Sequence, residues 1–144
     1  MRTLVLLKPD CVKRKLVGRV ISRIEDKGLR ISGMRMLWMT PELSKRHYQD
    51  HVNEPWYPKC EAFMCSGRFI AMVIEGDEAI SVMRAMAGQT DGTRAFFGTI
   101  RGDFTCSGRE NIVHCSDSEM KAKSEISLFF PSGEYIFEEQ TRCS

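Results

Sequence analysis

Two spacings of apolar residues alternate along this chain. Residues 2–7 (RTLVLL) are a short apolar, β-forming run and predict a buried strand. Pro9 cannot donate to a ladder, so Lys8-Pro9-Asp10 ends that strand. Apolar residues at 16, 17, 20, 21 and 24 repeat with helical spacing, predicting a helix over 16–27 with Gly28 as its stop. Leu29, Ile31, Met34, Met36 and Trp38 predict a second strand, irregular at Gly33. Thr40 as N-cap and Pro41 at the first helical position predict a helix running through 43–50. Another short helix is predicted over 56–64. The apolar run 69–74 (FIAMVI) predicts a central strand, and 77–86 returns to helical periodicity. The Gly- and Thr-rich stretch 88–104 predicts a long ordered loop. Residues 111–114 predict a short strand, followed by a helix capped at Ser116 or Asp117 and stopped by Pro131.

This order, β-α-β-α-α-β-α-loop-β-α, alternates strands with helices, so helices pack on the sheet. The expected fold class is α/β (α+β): a ferredoxin-like split βαβ sandwich, with a four-stranded antiparallel sheet covered by helices. With 144 residues and no internal repeat or linker, the chain is expected to be one domain over 1–144.

Composition narrows the function. A net charge of +2 is low for a protein that wraps nucleic acid, so no specific nucleic acid is expected as a partner. Any bound anion should be small and met by a local group of cations. The first apolar run stops at Lys8, so no secretory leader is read in it. No stretch approaches the roughly 20 apolar residues of a membrane span. A cytoplasmic location is therefore expected. The six cysteines, Cys11, Cys60, Cys65, Cys106, Cys115 and Cys143, include no CxxC pair and are expected to be reduced thiols.

Histidine is scarce enough to weigh singly. His47 and His51 stand four apart on a predicted helix, a spacing that can bind metal. No HExxH pattern surrounds them, and the plainer reading is a solvated helix face. His114 lies where a predicted strand meets a helix start. There a neutral imidazole can attack phosphorus beside N–H groups that favour anions. A histidine simply hydrogen-bonded at a strand end explains the pattern equally well. No GxxxxGK[ST], HRD or DFG motif is present, so bound phosphates must be held by side-chain cations. Lys8, Arg84 and Arg101 are the candidates.

Lys8-Pro9-Asp10, the stretch 98–104 (GTIRGDF) and Asn111-x-x-His114-x-Ser116-Asp117-Ser118 together resemble the signature of the nucleoside diphosphate kinases. His47-Tyr48 and the stretch 125–130 (EISLFF) fit as well, and the similarity runs from 2 to about 131. The resemblance implies transfer of the γ-phosphate of a nucleoside triphosphate to a diphosphate, with a phosphohistidine on His114. It implies that Lys8, Arg84, Arg101 and Thr90 bind phosphate, Asn111 the ribose and Trp56 the base. Ser116 and Glu125 would orient the histidine, and Tyr48 would line the site. Stacking on Trp56 reads a π-face common to all bases, so base selectivity is expected to be low. Mg²⁺ is expected through nucleotide phosphates and water, because no carboxylate cluster is evident. A closed homo-oligomer is implied, with a hexamer the expected form.

Some positions depart from the family pattern. Gly92 and Phe97 replace common prolines, Trp56 is larger than the usual Phe, and 132–144 is a divergent tail. Glycine at 92 raises the cost of ordering the loop, whereas Phe97 can add apolar contact across an interface. Cys115 stands where Gly or Ala is usual. It can crowd the site or, with a pKa lowered by the helix start, be oxidised; an inert small side chain is the equal alternative. Two other readings are a non-enzymatic nucleotide-binding or regulatory homologue and an RNA-binding ferredoxin-like module. The apolar strand 69–74 argues against the RNA module.

Overall fold

The computed structural model describes residues 1–138. Cys143 and the end of the divergent tail lie outside the described residues. The elements are β1 (Arg2–Leu7), α1 (Pro9–Lys13), α2 (Val17–Asp26), β2 (Arg30–Trp38), α3 (Pro41–His47), α4 (Tyr57–Met64), β3 (Arg68–Glu75), α5 (Ala79–Ala87), α6 (Ile100–Phe104), β4 (Val113–Cys115) and α7 (Glu119–Phe129). A short 3-10 turn, Pro131–Gly133, follows.

The sheet order is β2-β3-β1-β4, and every pairing is antiparallel. β1 and β2 both oppose β3, so they run parallel with β3 between them. This is the split βαβ arrangement expected from the element order. β1 and β3 are buried on both faces. Val5, Leu7, Ile70, Met72 and Ile74 pack under α2 and α5, beside Val20, Ile24 and Met83. Leu4, Leu6, Phe69, Ala71 and Val73 face the other way, onto Met64, Phe129 and Phe130. Each Val, Leu, Ile, Phe or Met side chain among them contributes about 1.5–3 kcal/mol on full burial. This double burial explains the continuous apolar runs at 2–7 and 69–74.

Local chemistry sets several boundaries. Gly28, at φ +90°, ends α2: its N–H reaches Glu25 O, and the N–H of Leu29 reaches Ile24 O. That pair of bonds is a Schellman ending and needs a residue without a Cβ penalty. Thr40 caps α3 by accepting from the N–H of Leu43. The irregularity at Gly33 is a register shift between Ile31 and Gly33. There Phe137 N–H bonds Ser32 O, so the start of the tail folds back along β2.

β1 ends at Leu7, as expected, and helix α1, absent from the expected element order, follows at once, because proline suits a first helical turn as well as it ends a strand. Three expectations are corrected. The stretch 88–104 is not wholly loop. Thr99 accepts from the N–H of Gly102 and caps helix α6. The last helix is capped by Ser118, which accepts from Lys121 N–H, and not by Ser116 or Asp117. Finally, α3 stops at His47, so His51 lies in the turns beyond it and the two histidines share no helix face.

Candidate active site

His114 is carried on β4, the edge strand beside β1, and is paired opposite Leu6. The residue before that strand, Ile112, has φ +74°. A β-branched residue in this region is strained, at a cost of about 1–3 kcal/mol. The surroundings hold it there. Lys8 N–H bonds Ile112 O at 2.8 Å, and Ile112 N–H bonds Asp10 Oδ2 at 3.1 Å. The Lys8-Pro9-Asp10 turn thus sets the direction in which the His114 strand leaves. Burial pushes the Asp10 carboxyl pKa up, against the opposing pull of the Ile112 N–H.

The outer edge of β4 is covered by arginines. Arg101 Nη2 donates to Val113 O at 2.7 Å, and Arg84 Nη1 to Cys115 O at 3.4 Å, one on each side of His114. Arg101 also reaches Asn111 O and Gly88 O, which places a buried guanidinium across three loop and strand carbonyls. Lys8 Nζ donates to Asn111 Oδ1 at 2.7 Å. Burial and the nearby Arg101 charge lower the Lys8 pKa to about 8. Burial, and the Arg84 charge, lower that of Arg101 as well. Among the described residues none of these three cations forms an ion pair with a carboxylate. Gathered cations without counter-charge invite an anion.

The imidazole itself is anchored from behind. His114 Nε2 donates to Glu125 Oε2 at 2.6 Å, and Ser116 Oγ donates to Glu125 Oε1 at 2.8 Å. Burial raises the Glu125 pKa, but the His114 hydrogen bond and charge, His47 and Ser116 outweigh it, so the carboxyl stays below its usual range. With Nε2 protonated and bonded, Nδ1 carries the lone pair.

The structure brings most of the predicted residues together around two cavities that share lining residues. One, of about 650 Å³, is lined by Lys8, Tyr48, Trp56, Thr90 and Asn111, with Arg109 at its rim. The other, of about 220 Å³, holds His114, Glu125 and Asp117, and shares Tyr48 and Trp56 with the first. Arg84 and Arg101 line neither cavity; they lie along the outer edge of β4, bonded to the carbonyls on either side of His114. The Asn111 amide is already engaged: its nitrogen donates to Thr90 O at 2.9 Å and to Gly108 O at 3.3 Å. Trp56 is 41% exposed, with one side against the His51 ring at 5.4 Å.

Three site expectations change. His47 is not on a solvated face: its side chain is 1% exposed, packed edge-on to His114 and Phe129. Cys115 does not crowd the site; its Sγ points to Met83 O within the core. Burial raises its pKa to about 11 despite Arg101, Arg84 and Lys8, which opposes the reactive-thiol reading. Gly92 is not merely a loosened position. Its N–H bonds Ser107 O, and a Cβ there would meet Thr105 O at 2.6 Å, so glycine is required by a close approach. The five described cysteines are free thiols, as expected. The sequence reading missed Asp10 and the 107–109 wall. Asp10 was visible inside the quoted Lys8-Pro9-Asp10 motif, whereas Ser107, Gly108 and Arg109 carry no pattern that sets them apart.

A ferredoxin-like domain with a carboxylate-backed histidine, beside cations that have no carboxylate partner among the described residues, defines a class: a protein with a histidine-centred site able to receive an anion. The comparisons with known proteins then fix the family. A family model described as nucleoside diphosphate kinase matches residues 1–135. A nucleoside diphosphate kinase of Rhodopirellula baltica is 52% identical over 134 residues, covering 93% of this chain and 88% of the relative. One from Methanocaldococcus jannaschii is 48% identical, covering 92% of this chain and 95% of the relative. The solved structure of a Halobacterium salinarum nucleoside diphosphate kinase in complex with CDP superposes with a TM-score of 0.94 at 36% identity, over 99% of this chain and 94% of that one. The apo enzyme of Encephalitozoon cuniculi gives 0.90 at 35% identity, over 96% of this chain and 93% of that one. This chain belongs to the nucleoside diphosphate kinase family.

Proposed function

We propose that this protein is a nucleoside diphosphate kinase that moves the γ-phosphate of a nucleoside triphosphate to a nucleoside diphosphate through a phosphohistidine on His114. The observation that carries the reading is the Ser116–Glu125–His114 chain of hydrogen bonds beside Lys8, Arg84 and Arg101. Glu125 fixes the tautomer, so the Nδ1 lone pair attacks phosphorus while the bond to the β-phosphate oxygen breaks and the diphosphate leaves. The Glu125 carboxylate stabilises the positive charge that grows on the ring. A second diphosphate then attacks the phosphohistidine, and His114 returns to its starting state.

Lys8, Arg84, Arg101 and Thr90 take phosphate roles in this reading, and Asn111 the ribose. The base stacks on the exposed face of Trp56, with low base selectivity, and Tyr48 lines the passage to His114. Among the described residues, the one group of His, Cys, Asp and Glu side chains close enough to share an ion, His47, His114 and Glu125, has a single carboxylate. This donor set suits Mg²⁺ poorly. Mg²⁺ would therefore be held through nucleotide phosphates and water, and would supply charge neutralisation during transfer.

Residues 1–144 are read as one such domain with a divergent tail over 132–144, acting in the cytoplasm as a homohexamer. Phe96 and Phe97 in the long loop are 79% and 93% exposed, and Met34, Met36 and Trp38 lie exposed on edge strand β2. Such apolar surface favours assembly. Among the described residues, no helix is long and apolar enough to cross a membrane. The non-enzymatic alternative is disfavoured, since nucleotide binding alone gives no reason for the Glu125–His114 pair. Initial-rate exchange between a triphosphate and a diphosphate tests the reading. Parallel double-reciprocal lines are expected, and intersecting lines would reject a phosphoenzyme route.

A further inference from the structure

His47 is the buried polar side chain beside His114 that the proposed transfer leaves unused. Among the described residues neither ring nitrogen has a hydrogen-bond partner, although the side chain is 1% exposed. A buried imidazole without partners is costly and calls for an explanation. Its Nδ1 lies 3.3 Å from Glu125 Oε2, which lies 2.6 Å from His114 Nε2. The two imidazoles meet edge-on with centroids 4.7 Å apart. One donor atom from each of His47, His114 and Glu125 falls within 4.8 Å of the others.

We infer that His47, His114 and Glu125 form a site for a borderline divalent cation of the zinc class, occupied in competition with phosphoryl transfer. Zinc takes nitrogen and carboxylate ligands at about 2.0–2.2 Å, and two histidines with one carboxylate are a set it accepts, water completing the fourth position. Neither nitrogen of the His47 ring is committed to a hydrogen bond, so the ring has a lone pair to offer a cation. His47 and Glu125 also line both of two cavities of about 220 Å³ each. Lys121 touches both cavities, but its ammonium is paired with Asp50 at 2.6 Å.

The consequence for catalysis rests on the phosphohistidine reading above. A cation on His114 Nε2 takes the place of the proton held by Glu125. The neutral ring then carries its proton on Nδ1, exchanged through solvent, and the attacking lone pair is gone. Occupancy blocks transfer through the tautomer, without covering the nucleotide cavity.

Titration of the full chain with Co²⁺, free of nucleotide and Mg²⁺, tests the site. One equivalent should bind, with visible d–d absorbance and no thiolate-to-cobalt charge-transfer band, and Zn²⁺ should displace it. His47→Phe should weaken binding at least about tenfold, since even outer partners of a metal ligand matter by 10–100-fold. His47→Asn, checked for fold by circular dichroism, is the second variant. Labelling of His114 by ATP should fall as Zn²⁺ fills the site and return with chelator. A thiolate band, no stoichiometric binding at micromolar metal, or unchanged affinity in both variants would overturn the site. Binding that leaves labelling intact would overturn the inhibitory step. Failure of the metal-free protein to label would count against the transfer reading alone, because the cobalt spectrum decides the site by itself.

Discussion

Lys8 Nζ donates to Asn111 Oδ1 across 2.7 Å, joining two motifs 103 residues apart in sequence. The same two segments are tied by Lys8 N–H to Ile112 O and Ile112 N–H to Asp10. The proposed nucleotide contacts and the proposed nucleophile are therefore tied together by one hydrogen-bonded junction.

That junction gives a pH dependence. Burial and Arg101 hold the Lys8 pKa near 8, against an ordinary value of 10.5. In the free protein the ammonium is lost as pH rises through about 8, and bound phosphate pulls its pKa back up. Nucleotide binding should therefore take up a proton near pH 8–9 and weaken above it. By linkage, the unfolded chain holds more protons between about 8 and 10.5, so nucleotide-free stability should rise with pH there. Calorimetry of ADP binding in buffers of different ionisation enthalpy measures the uptake. No uptake at pH 8.5 would refute the assignment.

Arg84 and Arg101 should separate chemistry from stability. Each alanine variant is expected to lose about 10²-fold or more in turnover, the scale of charge that stabilises a transferring phosphoryl. Only Arg101→Ala should also unfold more easily, because it removes the guanidinium donor from the carbonyls of Gly88 and Val113 and leaves Asn111 O with the Val113 N–H alone. A buried unsatisfied group costs about 1–3 kcal/mol. Arg84 is exposed, so its variant should melt like the parent. Equal melting of both variants would contradict the three-carbonyl role.

The strands and most helices were legible because apolar spacing reports burial directly, whereas the strand order β2-β3-β1-β4 is set by pairing that spacing does not report. At 2–7 and 69–74 the unbroken apolar runs reflect strands covered on both faces. Helix α6 was hidden inside a Gly-rich stretch, since Thr99 capping and five helical residues give too short a period to read. His114 and its partners were legible through a specific motif. The burial of His47 was not: its neighbours on α3 are Lys45 and Arg46, and only packing against Phe129 and His114 turns it inward.

Trp56→Ala should weaken nucleotide affinity by about 1–3 kcal/mol, the worth of one stacked base, with little change in turnover at saturation. Trp56 is half exposed at the mouth of the larger cavity, so its fold contribution is small. Equilibrium titration with ADP and CDP checks both the size and the lack of base preference. Unchanged affinity would remove Trp56 from the base site.

Cys115 should resist modification. It is 6% exposed and its pKa is raised to about 11, whereas Cys106 is exposed. Iodoacetamide on native protein, read by mass spectrometry, should label Cys106 first and spare Cys115. Rapid alkylation of Cys115 with loss of activity would restore the reactive-thiol reading.

The central claim is transfer through His114. Incubation with ATP labelled in the γ-phosphate should give one acid-labile, base-stable phosphate per chain on His114. Adding an unlabelled nucleoside diphosphate should discharge it quantitatively into the corresponding triphosphate. His114→Ala should fold normally and take up no label. Label on another residue, label that a diphosphate cannot discharge, or full exchange activity in His114→Ala would contradict the account.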